Sequence, residues 1–263
     1  MAYAHDEKNL YLAMYAETST SLKIAGTKMA VSQKTAYPNE GRIEVSLNPE
    51  KPASFSLRLR IPTWTGNQFV PGKLYRYLDS ATEKWEVSVN GKKVNPKIEL
   101  GFAVLDREWE KGDKVVLDLP MPTRLNECDE RVEDNHDRLS FTRGPFVLCA
   151  EETDNEGATQ RFFLDGQPSV EKPNLSRVKH PAGSFLKVLT RANALKEDGK
   201  IEKRGLSLIP YYAWNNRGET SMTVWFPKDK GLSVFDPHVL PKESIFAEIT
   251  ASQTSDRDTL SAI

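Results

Sequence analysis

Apolar and polar residues alternate with a period of two along most of this chain. In FSLRLRI (55–61), Phe55, Leu57, Leu59 and Ile61 fall on one side, and Ser56, Arg58 and Arg60 on the other. That is the pattern of a strand with one face in a core and one in water. The same rhythm predicts strands over LYLAMYA (10–16), RIEVSL (42–47), KWEVSV (84–89), FAVLD (102–106) and KVVLDL (114–119). Turn residues punctuate them at Pro38 to Gly41, Asn90-Gly91 and Lys111-Gly112-Asp113. Sustained helical periodicity is nearly absent, and strands recur roughly every ten residues, which points to a sandwich rather than a βαβ fold.

The stretch LPMPTRLNECDERVEDNHDR (119–138) interrupts the rhythm with two prolines and then an acidic, polar run. A second β series follows: RLSFTRG (138–144), PFVLCAE (145–151), RFFLD (161–165), SFLKVLT (184–190), LSLIPYYAW (206–214), SMTVWFP (221–227) and SIFAEIT (244–250). ALKEDGKIEKRG (194–205) reads as a loop or a long hairpin tip. The expected fold is therefore all-β, with two tandem antiparallel β-sandwich (jelly-roll-like) domains. Their expected limits are 1–124 for the first sandwich, 125–138 for an acidic linker, 139–251 for the second sandwich and 252–263 for the start of a truncated following segment.

Composition narrows the function classes. Among 263 residues, 36 Lys plus Arg face 37 Asp plus Glu, for a formal net charge of -1 with the signs interleaved. No basic face is offered to a nucleic-acid backbone, so nucleic acid is not an expected partner. Apolar runs are short, as in FVLCA (146–150), far below the roughly 20 residues of a membrane span. Met1 and Ala2 lead straight into a strand-like pattern, so no secretion signal is legible. Cys128 and Cys149 match no zinc-binding spacing; one disulfide between them is the alternative to the two free thiols expected, Cys149 sitting in an apolar run.

Candidate chemistry is sparse. Glu151, Glu152 and Asp154 in CAEETDN, or Asp106 and Glu108 in LDREWEKGD, supply carboxylates of the type a hydrolase pairs, but strand ends and turns carry such residues routinely. The acidic run 127–137 supplies hard oxygen ligands without the order of a calcium loop, and the four histidines are scattered. No metal site is expected in this chain. The richest stretch is IPYYAWNNRGETSMTVWFP (209–227). Tyr211, Tyr212 and Trp214 present flat apolar faces, and Asn215, Asn216 and Arg217 present hydrogen-bonding forks. These six residues are the candidates for contact with a carbohydrate or with another domain. Locally the stretch reads as two strands joined by the turn Asn215 to Glu219, with Pro210 placing the first strand at an edge or bulge.

LRLRIPTW (57–64), EVSVNGKKV (86–94), REWEKGDKVVLDLPMPTR (107–124), RLSFTRGPFVLCAEETDN (138–155) and LIPYYAWNNRG (208–218) resemble segments of one family, as do YAHDEKNLYLAMY (3–15) and QKTAYPNEGRIEVSL (33–47). They are similar to the region that follows the catalytic domain in glycoside hydrolase family 127, the β-L-arabinofuranosidases. The resemblance covers roughly residues 3–250. It implies β-sandwich domains that accompany an N-terminal (α/α)6 barrel, and that barrel as their partner. In the family the barrel holds a cysteine nucleophile and a zinc ion bound by cysteines and a glutamate, including an adjacent Cys-Cys pair, all before the segment matching YAHDEKNLYL. Cys128 and Cys149 lie after that segment and are not adjacent, so no catalytic or zinc-binding residue is carried over and no cofactor is expected in this chain. The expected role is a non-catalytic region bracing the barrel, in a fragment or the product of a split gene. The alternative is a carbohydrate-binding module that contacts plant-type oligosaccharide through surface aromatics.

Overall fold

A computed structural model describes residues 2–81, 83–165, 174–180 and 183–234. The strand expected over 244–250 and the segment 252–263 lie outside the described residues.

Among the described residues, twelve strands come from the first half of the chain: β1 (Tyr3–His5), β2 (Asn9–Leu12), β3 (Thr18–Ile24), β4 (Thr27–Thr35), β5 (Arg42–Pro49), β6 (Ala53–Arg60), β7 (Tyr75–Tyr77), β8 (Glu86–Val89), β9 (Lys92–Val94), β10 (Lys97–Glu99), β11 (Phe102–Trp109) and β12 (Asp113–Asp118). All but β7 form two facing sheets, ordered β1-β2-β6-β11-β10 and β3-β4-β5-β12-β8-β9. Pairing is antiparallel except between β2 and β6, which run parallel. The period-two pattern decides the inner faces. Leu57 and Leu59 of β6 meet Ile43, Val45 and Leu47 of β5 in one core, together with Leu10, Leu12, Val115 and Leu117. Trp109 is fully buried, and its indole N–H donates to the Phe55 carbonyl at 3.0 Å. Asn90 and Gly91 both take positive φ, so the β8–β9 turn is the tight hairpin expected from that dipeptide. Close approach of backbone explains Gly41, where a Cβ would stand 1.8 Å from the Leu119 carbonyl oxygen.

The second half supplies β13 (Thr123–Cys128), β14 (Arg138–Arg143), β15 (Phe146–Glu151), the one-turn helix α1 (Glu152–Asn155), β16 (Phe162–Phe163), β17 (Asn174–His180), β18 (Gly183–Leu195), β19 (Ile201–Pro210), β20 (Met222–Thr223) and β21 (Trp225–Pro227). The main path is β16-β18-β19-β15-β14-β13-β7. Phe141, Leu148 and Phe226 share one core with Val188, Ala194 and Leu206, so the sheet folds over on itself as two layers.

Several expectations need correction. The stretch 125–138 is not wholly a linker, because its first residues belong to β13, whose Leu125 joins the second core. The chain over 206–227 is not a hairpin. β19 ends at Pro210 and pairs with β15, while β20 continues along β15 and β21 along β14. Pro210 is tolerated in this internal strand because it is the last residue, where no further ladder N–H is required. The region 194–205 resolves as the long β18–β19 hairpin, with its tip at Lys196–Lys200.

One excursion ties the halves together. After the turn Thr63–Thr65, the chain leaves the first sandwich and adds β7 to the second sheet beside β13. Arg124 clamps this strap: its guanidinium lies 3.4 Å from the Tyr77 ring centroid, Nε donates to Asp79 Oδ1 at 2.9 Å, and Nη2 donates to the Asp79 carbonyl at 2.8 Å. Nη1 of the same side chain donates to the Gly66 carbonyl.

Candidate functional site

The six candidate residues occupy one loop, and they face in different directions. Beyond Pro210 the chain turns through a single 3₁₀ turn, Tyr211–Ala213, which buries Ala213 and leaves Tyr211 47% and Tyr212 58% exposed. Tyr211 stacks on Trp214, with centroids 6.1 Å apart at 25°, and Tyr212 meets Phe146 of β15 at 5.4 Å. Trp214 is only partly exposed. Its indole N–H donates to the Thr220 carbonyl at 3.3 Å, and its ring packs on a small core of Cys149, Phe185, Ile209 and Ala213.

The polar half of the loop turns inward. Asn215 takes a left-handed conformation, φ 63, which asparagine tolerates, and its backbone N–H donates to Glu151 Oε1 at 2.8 Å. Asn216 Nδ2 donates to the Tyr212 carbonyl at 3.4 Å. Arg217 is mostly buried. Nη1 donates to Asp154 Oδ1 at 3.0 Å, Nη2 donates to Asp154 Oδ2 and Glu151 Oε2, and the guanidinium lies 5.3 Å from the Phe185 ring centroid. Lys187 of β18 donates to Asp154 Oδ1 at 2.9 Å. Arg217 is therefore committed to an internal ion-pair network and is not a free fork for a ligand.

Burial would raise the Asp154 carboxyl, but hydrogen bonds from Arg217 and Lys187 outweigh it and hold that group below the usual carboxylate range. Asp154, and then Glu151, hold the Arg217 guanidinium even more firmly protonated than usual. Each Glu151 oxygen accepts one hydrogen bond, and the residue is fully buried, so the carboxylate does not open onto solvent. Glu152 accepts from the Ser221 hydroxyl at 2.8 Å, and Asp106 is hydrogen-bonded to Ser56. None of these geometries sets two carboxylates across an open site. Sequence reasoning did not connect Phe146, Glu151, Asp154 or Lys187 to the loop, because all four lie on elements distant along the chain.

In the acidic run, Glu127 pairs with Arg76 at 2.7 Å and Lys228 at 2.9 Å, and Asp129 pairs with Arg131 at 2.6 Å. Among the described residues, no group of three or more His, Cys, Asp or Glu side chains converges as a metal site would require. Both cysteines are free thiols. Burial pushes the Cys149 thiol up to about 12, and Cys128 Sγ lies 3.7 Å from the Val132 carbonyl oxygen. Neither fits a zinc–thiolate set. Among the described residues, no helix is long and apolar enough to cross a membrane.

A second surface feature lies on the first sandwich. A cavity of about 280 Å³ opens beside Met14, Tyr15, Tyr37, Arg60 and Trp64. The Tyr15 hydroxyl donates to the Arg60 carbonyl at 2.6 Å, and the Tyr15 and Tyr37 rings meet edge to face at 5.7 Å.

Comparison with known proteins places these features. Residues 9–121 match the β-L-arabinofuranosidase family 127 middle domain, and residues 123–227 match the glycoside hydrolase family 127 C-terminal domain. The chain belongs to glycoside hydrolase family 127. A non-reducing end β-L-arabinofuranosidase of Bifidobacterium longum is 26% identical over 213 residues, 75% of this chain and 30% of the relative. A solved family-127 β-arabinofuranosidase is 33% identical with a TM-score of 0.80, covering 90% of this chain and 37% of that one. The family-127 β-L-arabinofuranosidase of Geobacillus stearothermophilus T6 is 28% identical with a TM-score of 0.73, covering 86% of this chain and 34% of that one. The chain thus spans about a third of the length of these family members. The two family domains meet between residues 121 and 123, immediately before β13.

Proposed function

We propose that this chain serves as the β-sandwich region of a glycoside hydrolase that removes non-reducing-end β-L-arabinofuranosyl groups, and that it braces the catalytic (α/α)6 barrel without supplying the reacting groups. The observation that carries this reading is the ordered match to a middle and a C-terminal domain, 9–121 and then 123–227, in relatives about three times as long. The nucleophile and any zinc belong, in this reading, to the portion that precedes the middle domain in the relatives. It is supported by the commitment of Glu151, Asp154 and Arg217 to one another and by the poor fit of Cys128 and Cys149 to a metal. The pure chain, assayed for arabinose release from a β-L-arabinofuranoside with zinc added, should be inactive; zinc-dependent turnover by this chain would refute the reading.

The exposure of Tyr211 and Tyr212 supports a second reading, contact with a plant-type oligosaccharide. It requires calorimetric binding that Trp214→Ala weakens by about 1 kcal/mol or more, the scale of a stacking contact. Absence of binding to arabinose-containing glycans would remove it.

A further inference from the structure

We infer that a cleft on the outer face of the second sandwich, built around Trp225, Arg138 and Gln160, binds a saccharide that carries a carboxylate, such as a uronic acid. The site is separate from the 211–219 loop and goes beyond both readings above.

The cleft follows from the strand register. β21 lies antiparallel to β14 with Leu139 opposite Phe226, and both of those side chains are buried in the second core. Opposite residues share a face and neighbours along a strand alternate, so the pairs Ser140–Trp225 and Arg138–Pro227 turn away from that core. Trp225 is seated against Tyr75 of β7, with ring centroids 5.8 Å apart at 30°. The strap that ties the halves together therefore also holds this ring. A further wall comes from the 3₁₀ turn Lys230–Leu232 and the residues after it, where the Val234 N–H donates to the Gln160 carbonyl at 3.1 Å. Leu232 and Val234 are left 45% and 42% exposed, more than a residue serving only a core would be. These side chains, with Trp225, Pro227, Arg138 and Gln160, line a cavity of about 370 Å³. Small-molecule sites run from about 300 to 1,000 Å³, so the space suits one or two sugar rings.

Two polar groups define the ligand. Arg138 has no ion-pair partner among the described residues, whereas Glu127 on the neighbouring β13 is already paired with Arg76 and Lys228. A guanidinium offers a planar fork of donors that matches a carboxylate. Gln160 Oε1 is buried and accepts no hydrogen bond, so it calls for a hydroxyl from the occupant. The third requirement is apolar: the indole and the aliphatic side chains beside it offer a surface for the C–H face of a sugar ring. A hydrocarbon would leave both polar groups unsatisfied. A small inorganic anion would leave the indole, Leu232 and Val234 uncovered. A sugar acid meets all three requirements at once.

The test titrates the full 263-residue chain by calorimetry with digalacturonate and with a glucuronic acid–xylose disaccharide, each beside the neutral disaccharide that lacks the carboxylate. NMR follows the Trp225 indole N–H. At least one acid should bind and shift that resonance, with its neutral counterpart at least about tenfold weaker. Arg138→Gln should weaken the acid at least about tenfold, the loss of a charge-assisted fork, while retaining the wild-type circular dichroism. Gln160→Leu should weaken it as well, and Tyr212→Ala, on the 211–219 loop, should bind as wild type. No binding of either acid, equal binding of the neutral sugars, or normal binding by Arg138→Gln would overturn the site. A loss caused by Tyr212→Ala and not by Arg138→Gln would overturn it too, and would put saccharide contact on the loop.

Discussion

Arg217 and Asp154 form a two-pronged ion pair that fastens the 211–219 loop to α1, with Nη1 donating to Oδ1 at 3.0 Å and Nη2 to Oδ2. The same Nη2 reaches Glu151, which also accepts the Asn215 N–H. One guanidinium therefore neutralises two buried acids and fixes the backbone that presents Tyr211 and Tyr212. The exposed aromatics are held from beneath by charge.

Replacing Arg217 with Ala leaves Glu151 and Asp154 facing each other without their shared cation. Removing one partner of a buried pair costs about 3–5 kcal/mol, because the remaining charge stays desolvated. Urea denaturation of Arg217→Ala should show a loss of that order, and Lys187, which still reaches Asp154, should keep it toward the lower end. A loss below about 0.5 kcal/mol, the scale of an ordinary surface substitution, would show that the network is not structural.

The same pair sets an acid limit on stability. The folded Asp154 pKa lies below its unfolded value of about 3.9, so its contribution is fully present above that value. It is lost as pH falls through the lower, folded pKa, when the carboxyl protonates and releases Arg217 and Lys187. Stability measured between pH 7 and pH 2 should fall steeply below about pH 4, and Asp154→Asn should be less stable at pH 7 with a flatter decline. An Asp154→Asn profile parallel to wild type would place the acid sensitivity elsewhere.

Several sandwich strands were legible from the difference between their two faces, although β4, where Met29 and Val31 are buried between Lys28, Ala30 and Ser32, was not recognised. Ile43, Val45 and Leu47, and likewise Phe55, Leu57 and Leu59, announced their faces through strict alternation and are buried. β3 was not recognised, because Thr18 to Lys23 is rich in Ser and Thr on both faces and only Ile24 is buried. Partner choice was less legible than strand existence. LSLIPYYAW and SMTVWFP look like two arms of one hairpin, yet their partners are β15 and β14, some sixty or more residues back along the chain, a pairing that local periodicity does not encode. Arg217 was read as a surface fork for the same reason: its acids stand 63 and 66 residues away in sequence.

Arg124 predicts a separable effect on the strap. Arg124→Ala removes the stacking on Tyr77 and the bonds to Gly66 and Asp79, and hydrogen bonds from a charged donor contribute about 1.5–3 kcal/mol. Amide exchange at Tyr75–Tyr77 should accelerate in the variant, while β5 and β12 of the first sandwich keep their protection. Equal acceleration in β5 would mean that the clamp stabilises the whole molecule and not the strap alone.

Cys149 offers a probe of the second core. Its thiol is fully buried and pushed up to about 12, so at pH 8 almost none of it is the reactive thiolate. Iodoacetamide should modify partly exposed Cys128 in the native protein and reach Cys149 only after denaturant opens the core around Phe185 and Ile209. Modification of both thiols at the same native rate would show that this small core opens locally.

Gly41 predicts the most severe backbone effect in the first sandwich. Gly41 and Leu119 are already joined, the Leu119 N–H donating to the Gly41 carbonyl at 2.9 Å. A Cβ at Gly41 would lie 1.8 Å from the Leu119 oxygen, a backbone atom that no rotamer change can move aside. Gly41→Ala therefore has to shift the Leu119 strand end, which sits just before the junction with the second sandwich. Overpacking costs about 1–3 kcal/mol, occasionally more, and backbone crowding places this site at the upper end of that range. Thermal unfolding should be lowered accordingly, whereas Gly112→Ala, where a Cβ meets open space but φ is 91°, should show only the smaller cost of a strained turn. If the two variants unfold at the same temperature, the Gly41–Leu119 approach does not constrain the fold.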